Sequence, residues 1–209
     1  MINYDEEYFN NHFRSKFYRW YIDTIRNREI KRIVYQRLKS GKILEIGFGN
    51  DNLLKFFCRD FEIYGVDISK FAVKEMTKKY NPNNFQECDI TKEPIPFTCK
   101  FDVILAINTI EHLDDYEYAL KNIYGSLKDQ GLFVIQMPLR SNTLSKLQYK
   151  IFYDVIEHCY RPSFDSLNQL LHRIGFKLVE RFIPSFLPIK IGTKFLINSF
   201  NLFLGVYKK

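Results

Sequence analysis

Apolar and polar positions follow two rhythms along the chain, and the change falls near residue 41. Before it, Tyr8, Phe9, Phe13, Phe17, Tyr18, Trp20, Tyr21, Ile22, Ile25, Ile30, Ile33, Val34 and Leu38 recur at spacings of three and four. That period predicts amphipathic helix, and Ser40-Gly41 closes it. After it, short apolar runs alternate with helical patterns. Strands are expected at 42–46, 62–67, 85–88, 101–107, 132–137 and 176–182, with a last one from Leu202 to Tyr207. Helices are expected at 52–60, from a Ser69 cap to Tyr80, and at 164–174 between Ser163 and Gly175. A further helix turns Tyr118, Leu120, Ile123, Tyr124 and Leu127 inward, and Asp129-Gln130-Gly131 reads as a turn.

Strand and helix alternating at this spacing predict an α/β fold. The expected architecture is a Rossmann-like, seven-stranded, mostly parallel sheet with helices on both faces and an N-terminal helical cap. No repeat or composition break divides the chain. It reads as one domain, 1–209, with a cap at 1–40, a ligand-binding half at 41–138, and an insertion with the last strands at 139–209. Ligands of such sheets bind beyond the carboxyl ends of the strands. Polar residues gather there: Glu45, Gly47 and Gly49 after the first strand, Asp67 after the second, Asp89 after the third, Asn108 after the fourth. Glycines let the backbone approach a ligand closely. The Glu45 carboxylate is the wrong sign for a pyrophosphate and suits a cationic centre or hydroxyls.

Composition narrows the class further. Apolar residues make up 46% and aromatics 17%, which excludes a disordered chain. Cys58, Cys88, Cys99 and Cys159 are far apart and lack metal-ligand spacing, so reduced thiols and no metal site are expected. Met1 to Glu7 is acidic where a secretory leader is basic, and no long apolar run exists, so a cytoplasmic protein is expected. The net charge of +7 concentrates in 11–39 and 181–209. Such surfaces attract phosphates, nucleic acid or anionic lipid, or serve only solubility.

Glu45-x-Gly47-x-Gly49, Asp67, Asp89, Asn108-Thr109-Ile110-Glu111-His112-Leu113 and the Leu127–Gly131 turn together resemble the class I S-adenosylmethionine-dependent methyltransferases. The likeness spans about residues 35–182. Glu111-His112 and Phe164-x-x-Leu167-x-x-Leu170-Leu171-x-x-x-Gly175-Phe176 are similar to small bacterial enzymes acting on quinone precursors, sugars or other metabolites. The resemblance implies S-adenosyl-L-methionine as cofactor, with Glu45, Gly47, Phe48 and Gly49 at its methionine end. It places Asp67 on the ribose hydroxyls, Ile68, Asp89 and Ile90 around the adenine, and the Asn108 carbonyl by the amino group. Asp51 stands where a third glycine is often found. A nicotinamide dinucleotide fold would need glycine at position 52, which is Asn52.

The implied reaction is methyl transfer by in-line displacement to a small-molecule or glycan acceptor, most simply at oxygen. His112 and His158 are the candidate bases, each also readable as a histidine bonded to backbone. Glu111 reads as a structural or capping residue. The aromatic residues of 1–20 and 139–161 offer a lid and an acceptor pocket, or ordinary packing. The apolar, cationic stretch 182–200 suits a peripheral membrane contact, a pocket wall or a homodimer interface. Nucleic acid is not an expected partner, since no RNA-binding module accompanies the charge. An RNA methyltransferase and a donor-binding scaffold without turnover remain the alternatives.

Overall fold

A computed structural model describes residues 26–49, 53–139, 159–160, 162–182 and 202–209. Helix α1 (Asn27–Tyr35) leads into β1 (Gly41–Ile46); β2 (Phe61–Asp67), α2 (Lys70–Thr77) and β3 (Phe85–Glu87) follow. The chain continues through β4 (Phe101–Ile107), α3 (Tyr116–Ser126) and β5 (Leu127–Pro138). It ends with α4 (Phe164–Ile174), β6 (Lys177–Phe182) and β7 (Leu202–Lys208). The seven strands form one sheet in the order β3-β2-β1-β4-β5-β7-β6. β3, β2, β1, β4 and β5 are mutually parallel, while β7 runs antiparallel to both β5 and β6.

Residues alternate between two faces along each strand, and both faces are covered. On one, Leu44, Ile46, Ile104, Ala106, Phe133 and Ile135 pack under α3 and α4 through Leu120, Ile123, Leu167 and Leu171. On the other, Ile43, Val103, Leu105, Leu132 and Val134 pack under α1 and α2 through Ile30, Ile33, Val34, Ala72 and Met76. The result is a three-layer sandwich whose central strands are largely apolar, because neither face meets water.

Local chemistry sets the ends of the helices. The Ser69 hydroxyl accepts from the Ala72 N–H at the start of α2, and the Ser163 hydroxyl from the Ser166 N–H at the start of α4. Gly175 ends α4 at φ +122°, where an added Cβ would lie 2.7 Å from the Tyr124 hydroxyl.

Three expectations change. In place of a helix at 52–60, the described residues hold a single 3₁₀ turn, Leu54–Phe56, followed by irregular turns. Leu53, Leu54 and Phe57 still bury completely, so an apolar run this short reports burial without fixing the helix type. The Asp129-Gln130-Gly131 turn is a bulge inside β5: Phe101 pairs with Leu127 and Val103 with Leu132, and Gln130 takes φ +63°. Tyr118 is exposed and Ala119 takes an inner position beside Leu120 and Ile123, which are buried as expected. The aromatic segment 1–25, most of the 139–161 insertion and the stretch 183–200 lie outside the described residues, as do Asn50 and Asp51.

Candidate functional site

The carboxyl ends of β1, β2 and β4 meet around two glycines. Gly47 and Gly49 both take left-handed φ, +66° and +50°. The turn is anchored at both ends: the Gly47 N–H donates to the Val66 carbonyl at 2.8 Å, and the Gly49 N–H to Asp67 Oδ2 at 2.7 Å. A Cβ on Gly47 would lie 2.6 Å from Thr109 Cγ2, so the loop after β4 lies directly on the glycine turn. Thr109 is held there by its own hydroxyl, which donates to the Ile46 carbonyl at 3.0 Å. Phe48 has its ring fully buried, edge-on to Phe85, which leaves only its backbone to face a ligand.

Asp67 ends β2 nearly buried, its other oxygen accepting from the Ser69 N–H at 2.8 Å. Burial raises its pKa, against the backbone N–H groups of Ser69, Gly49 and Ile68, which favour the anion. Each carboxylate oxygen keeps a second lone pair. Ile68 projects beside it with 49% of its surface exposed, an unusual cost for a large apolar side chain at a strand end. Asp89 is more fully engaged: Thr91 donates to Oδ1 through both N–H and hydroxyl, and Lys92 Nζ stands 2.7 Å from Oδ2. Burial pushes the Asp89 pKa up, but Lys92 and Thr91 together bring it below its ordinary value. Ile90 is buried in the core under α3.

Glu45 is 2% exposed, and its Oε2 has no hydrogen-bond partner among the described residues. Burial pushes its pKa up to about 8; the nearby positive charge of Arg26 opposes this, and the negative charge of Asp67 adds to it. Arg26, itself buried at the start of α1, lends Nε and Nη2 to the Asn27 side chain. Sequence reasoning placed Arg26 only in a basic segment. A cation at a helix start carries no mark distinguishing a site residue from a solvated one.

Asn108 follows β4 at φ +52°, a conformation that asparagine tolerates better than most residues. Its N–H donates to the Gln136 carbonyl at 2.8 Å, while its side-chain oxygen is buried with no partner among the described residues. Glu111 lies in the 3₁₀ turn Ile110–His112, 1% exposed, and burial drives its pKa to about 8. His112 closes that turn half-buried, its N–H donating to the Thr109 carbonyl. The structure therefore brings Glu45, Gly47, Gly49, Asp67, Ile68, Asn108 and His112 to one edge of the sheet. The second candidate base, His158, lies outside the described residues.

This edge offers carboxylates and buried acceptors to a ligand with cationic and hydroxyl groups, and Arg26 to a ligand carboxylate. Those are the groups of an amino-acid-bearing nucleoside such as S-adenosylmethionine. Three observations fit it: the orphaned oxygens of Glu45 and Asn108, the turn that a Cβ at Gly47 would jam, and the exposed Ile68.

Comparison with known proteins points the same way. Residues 11–181 match a family described as a methyltransferase domain. An O-methyltransferase of Aspergillus nomiae is 27% identical over 173 positions, which span 76% of each chain. A ubiquinone biosynthesis O-methyltransferase of Pelagibacter ubique is 32% identical over 102 positions, 47% of this chain and 42% of that one. Among solved structures, the fold is similar to a TehB-like S-adenosylmethionine-dependent methyltransferase of Corynebacterium glutamicum. The TM-score there is 0.67 at 18% identity, over 98% of this chain and all of that one.

Proposed function

From the membership of this chain in the class I S-adenosylmethionine-dependent methyltransferases, we propose that it methylates an oxygen of a small-molecule or glycan acceptor. S-adenosylmethionine is its cofactor and supplies an activated methyl group on a sulfonium centre. The Asp67 carboxylate, fixed by Gly49 and Ser69, carries the donor-site reading, because the lone pair left on each of its oxygens matches a ribose diol.

The other residues divide the ligand by charge. Glu45 takes the ammonium end and Arg26 the carboxylate, the two being close enough for their charges to interact. Gly47 and Gly49 keep side chains out of the way, and Ile68 gives an apolar surface to the base. Asp89 reaches the adenine amine by sharing Oδ1 or by letting the exposed Lys92 swing aside. Asn108 lines the gap between the donor and the β5 side.

An in-line displacement asks the protein mainly for alignment and exclusion of water. A base matters when the acceptor is a weakly acidic hydroxyl, and it contributes about 10²–10⁴-fold. His112, on the turn after β4 and next to the buried Glu111, is the proposed base within the described residues. Support for oxygen comes from the two O-methyltransferase relatives, each of modest identity. No helix among the described residues is long and apolar enough to cross a membrane.

The test is transfer of a labelled methyl group from S-adenosylmethionine into metabolite, lipid and glycan extracts, followed by identification of the labelled product. An O-methylated small molecule or glycan is expected. A label confined to RNA, or none despite donor binding, would overturn the reading in favour of the other two.

A further inference from the structure

Beyond the donor residues, the edge holds one more buried polar side chain whose chemistry is unsettled. Gln136 lies on β5, 1% exposed, and its Oε1 has no hydrogen-bond partner among the described residues. Its place follows from the register. Glu45 pairs with Leu105, and Ile107, two residues along on the same face, pairs with Gln136. Gln136 is thus on the same face of the sheet as Glu45, two strands across, about 10 Å away laterally and nearer the carboxyl edge. Its backbone carbonyl holds the Asn108 N–H, which ties it to the loop carrying Asn108, Thr109 and His112.

A buried side-chain oxygen left without a hydrogen bond is costly, about 1–3 kcal/mol. Glu45 and Glu111, the buried carboxyls nearby, escape their own penalty by taking up a proton, as their raised pKa values reflect. An amide has no such escape. Turning it over puts the NH₂ where the oxygen now lacks a partner and moves the NH₂ out of its present place, so it leaves a polar group unpaired there as well. Its flanking partners in register, Ile107 and Leu204, are apolar, as is Val134 two residues before it on the same face. A group that satisfies this oxygen among such neighbours is a single hydrogen-bond donor on an apolar body.

We propose that Gln136 positions the methyl acceptor by accepting a hydrogen bond from one of its hydroxyls, so that the acceptor is a phenol-like or otherwise apolar alcohol. The assignment rests on the methyl-transfer reading and sharpens it. The Gln136 oxygen orients the hydroxyl and takes no proton. The cost of leaving this oxygen unpaired is carried by the acceptor-free protein and recovered when the acceptor binds.

The test uses the full chain saturated with S-adenosylhomocysteine and a pair of probes, phenol and anisole, in the second of which a methyl group replaces the hydroxyl proton. Ligand-observed NMR titration is expected to show phenol binding about tenfold more tightly than anisole, the gap set by one buried hydrogen bond. Gln136→Leu should erase the gap, and Gln136→Glu, which keeps an acceptor oxygen, should retain it. Gln136→Leu should also raise the acceptor-free melting temperature by about 2–4 °C, since it removes an unpaired polar group. A merely structural glutamine would give a fall. That fall, or equal affinities for the two probes in wild type, would overturn the assignment alone. Failure of the wild type to bind S-adenosylhomocysteine would remove the methyl-transfer reading, and this one with it.

Discussion

The Gly49 N–H and the Asp67 carboxylate meet at 2.7 Å, so the glycine turn after β1 and the acidic end of β2 form one unit. The ribose ligand in this reading is held by a group that also holds the loop. Asp67→Ala therefore removes two backbone acceptor bonds and the ligand contact together. It should weaken S-adenosylmethionine binding at least about 100-fold and lower stability by about 1–3 kcal/mol. Asp67→Asn keeps one acceptor and should lose about tenfold less affinity. Calorimetric titration alongside chemical denaturation separates the two effects, and unchanged affinity in Asp67→Ala would sink the ribose role.

The contact between Gly47 and Thr109 gives a second test. Alanine at 47 needs a left-handed φ and pushes a Cβ into Thr109 Cγ2. The left-handed strain costs about 1–2 kcal/mol, and the clash adds to it. Thr109→Ser keeps the hydroxyl that bonds Ile46 and removes the obstructing methyl. The double variant Gly47→Ala/Thr109→Ser should thus recover only the part of the clash due to Cγ2, since the retained Oγ1 stands 2.7 Å from the added Cβ, and leave the strain. A double-mutant cycle in urea should show a favourable coupling energy; additive losses would mean that the two residues are independent.

Two buried carboxyls set a pH dependence of stability. Glu45 and Glu111 have folded pKa values of about 8, against ordinary values of 4.5. The folded state binds these protons more tightly than the unfolded one. Their contribution is therefore complete below about pH 4.5 and is lost as pH rises through about 8. Urea midpoints should fall between pH 5 and pH 8.5, with other groups superimposed, and Glu111→Gln should flatten that slope. A wild-type profile indistinguishable from Glu111→Gln would show Glu111 to be ionised throughout.

Ligand binding should move a proton the other way. A cationic ammonium brought to Glu45 favours its ionised form, so donor binding at pH 7 should release a proton, and affinity should rise with pH up to about 8. Titrations in phosphate and in Tris would then give different apparent enthalpies. Glu45→Gln should abolish the difference, and buffer-independent enthalpies in wild type would place the ammonium elsewhere.

Much of this was legible in advance because it depended on local rules. Ser69, Ser163 and Gly175 marked helix ends through caps that need only one side chain or one φ. Phe101–Ile107 read as a fully covered strand because its residues are nearly all apolar. The motif residues Glu45, Asp67 and Asn108 fell at strand ends, where the edge of a parallel sheet collects them. Residues whose role depends on long-range burial were not legible. Arg26 looked like one surface cation among many, and Gln136 like the polar member of a strand. Only the packing of α1 and the register of β5 with β4 and β7 show both to be enclosed. Tyr118, at the edge of the buried stripe of α3, is exposed while Ala119 beside it is buried, and apolar spacing alone does not separate the two.

The placement of β7 between β5 and β6 bears on how the molecule is made. β6 has no other strand beside it among the described residues, and β5 would have a bare edge without β7. A ribosome reaches Leu202–Lys208 after everything else described here. The strands that form the donor edge, β1 to β5, are complete by Pro138 and can pair while synthesis continues. β6 must wait, its backbone groups open to solvent or chaperone, until Leu202–Lys208 emerges and slides between the two. Truncation inside that segment would thus leave a chain able to assemble its cofactor edge yet carrying one unpaired strand, β6, and one bare edge, on β5.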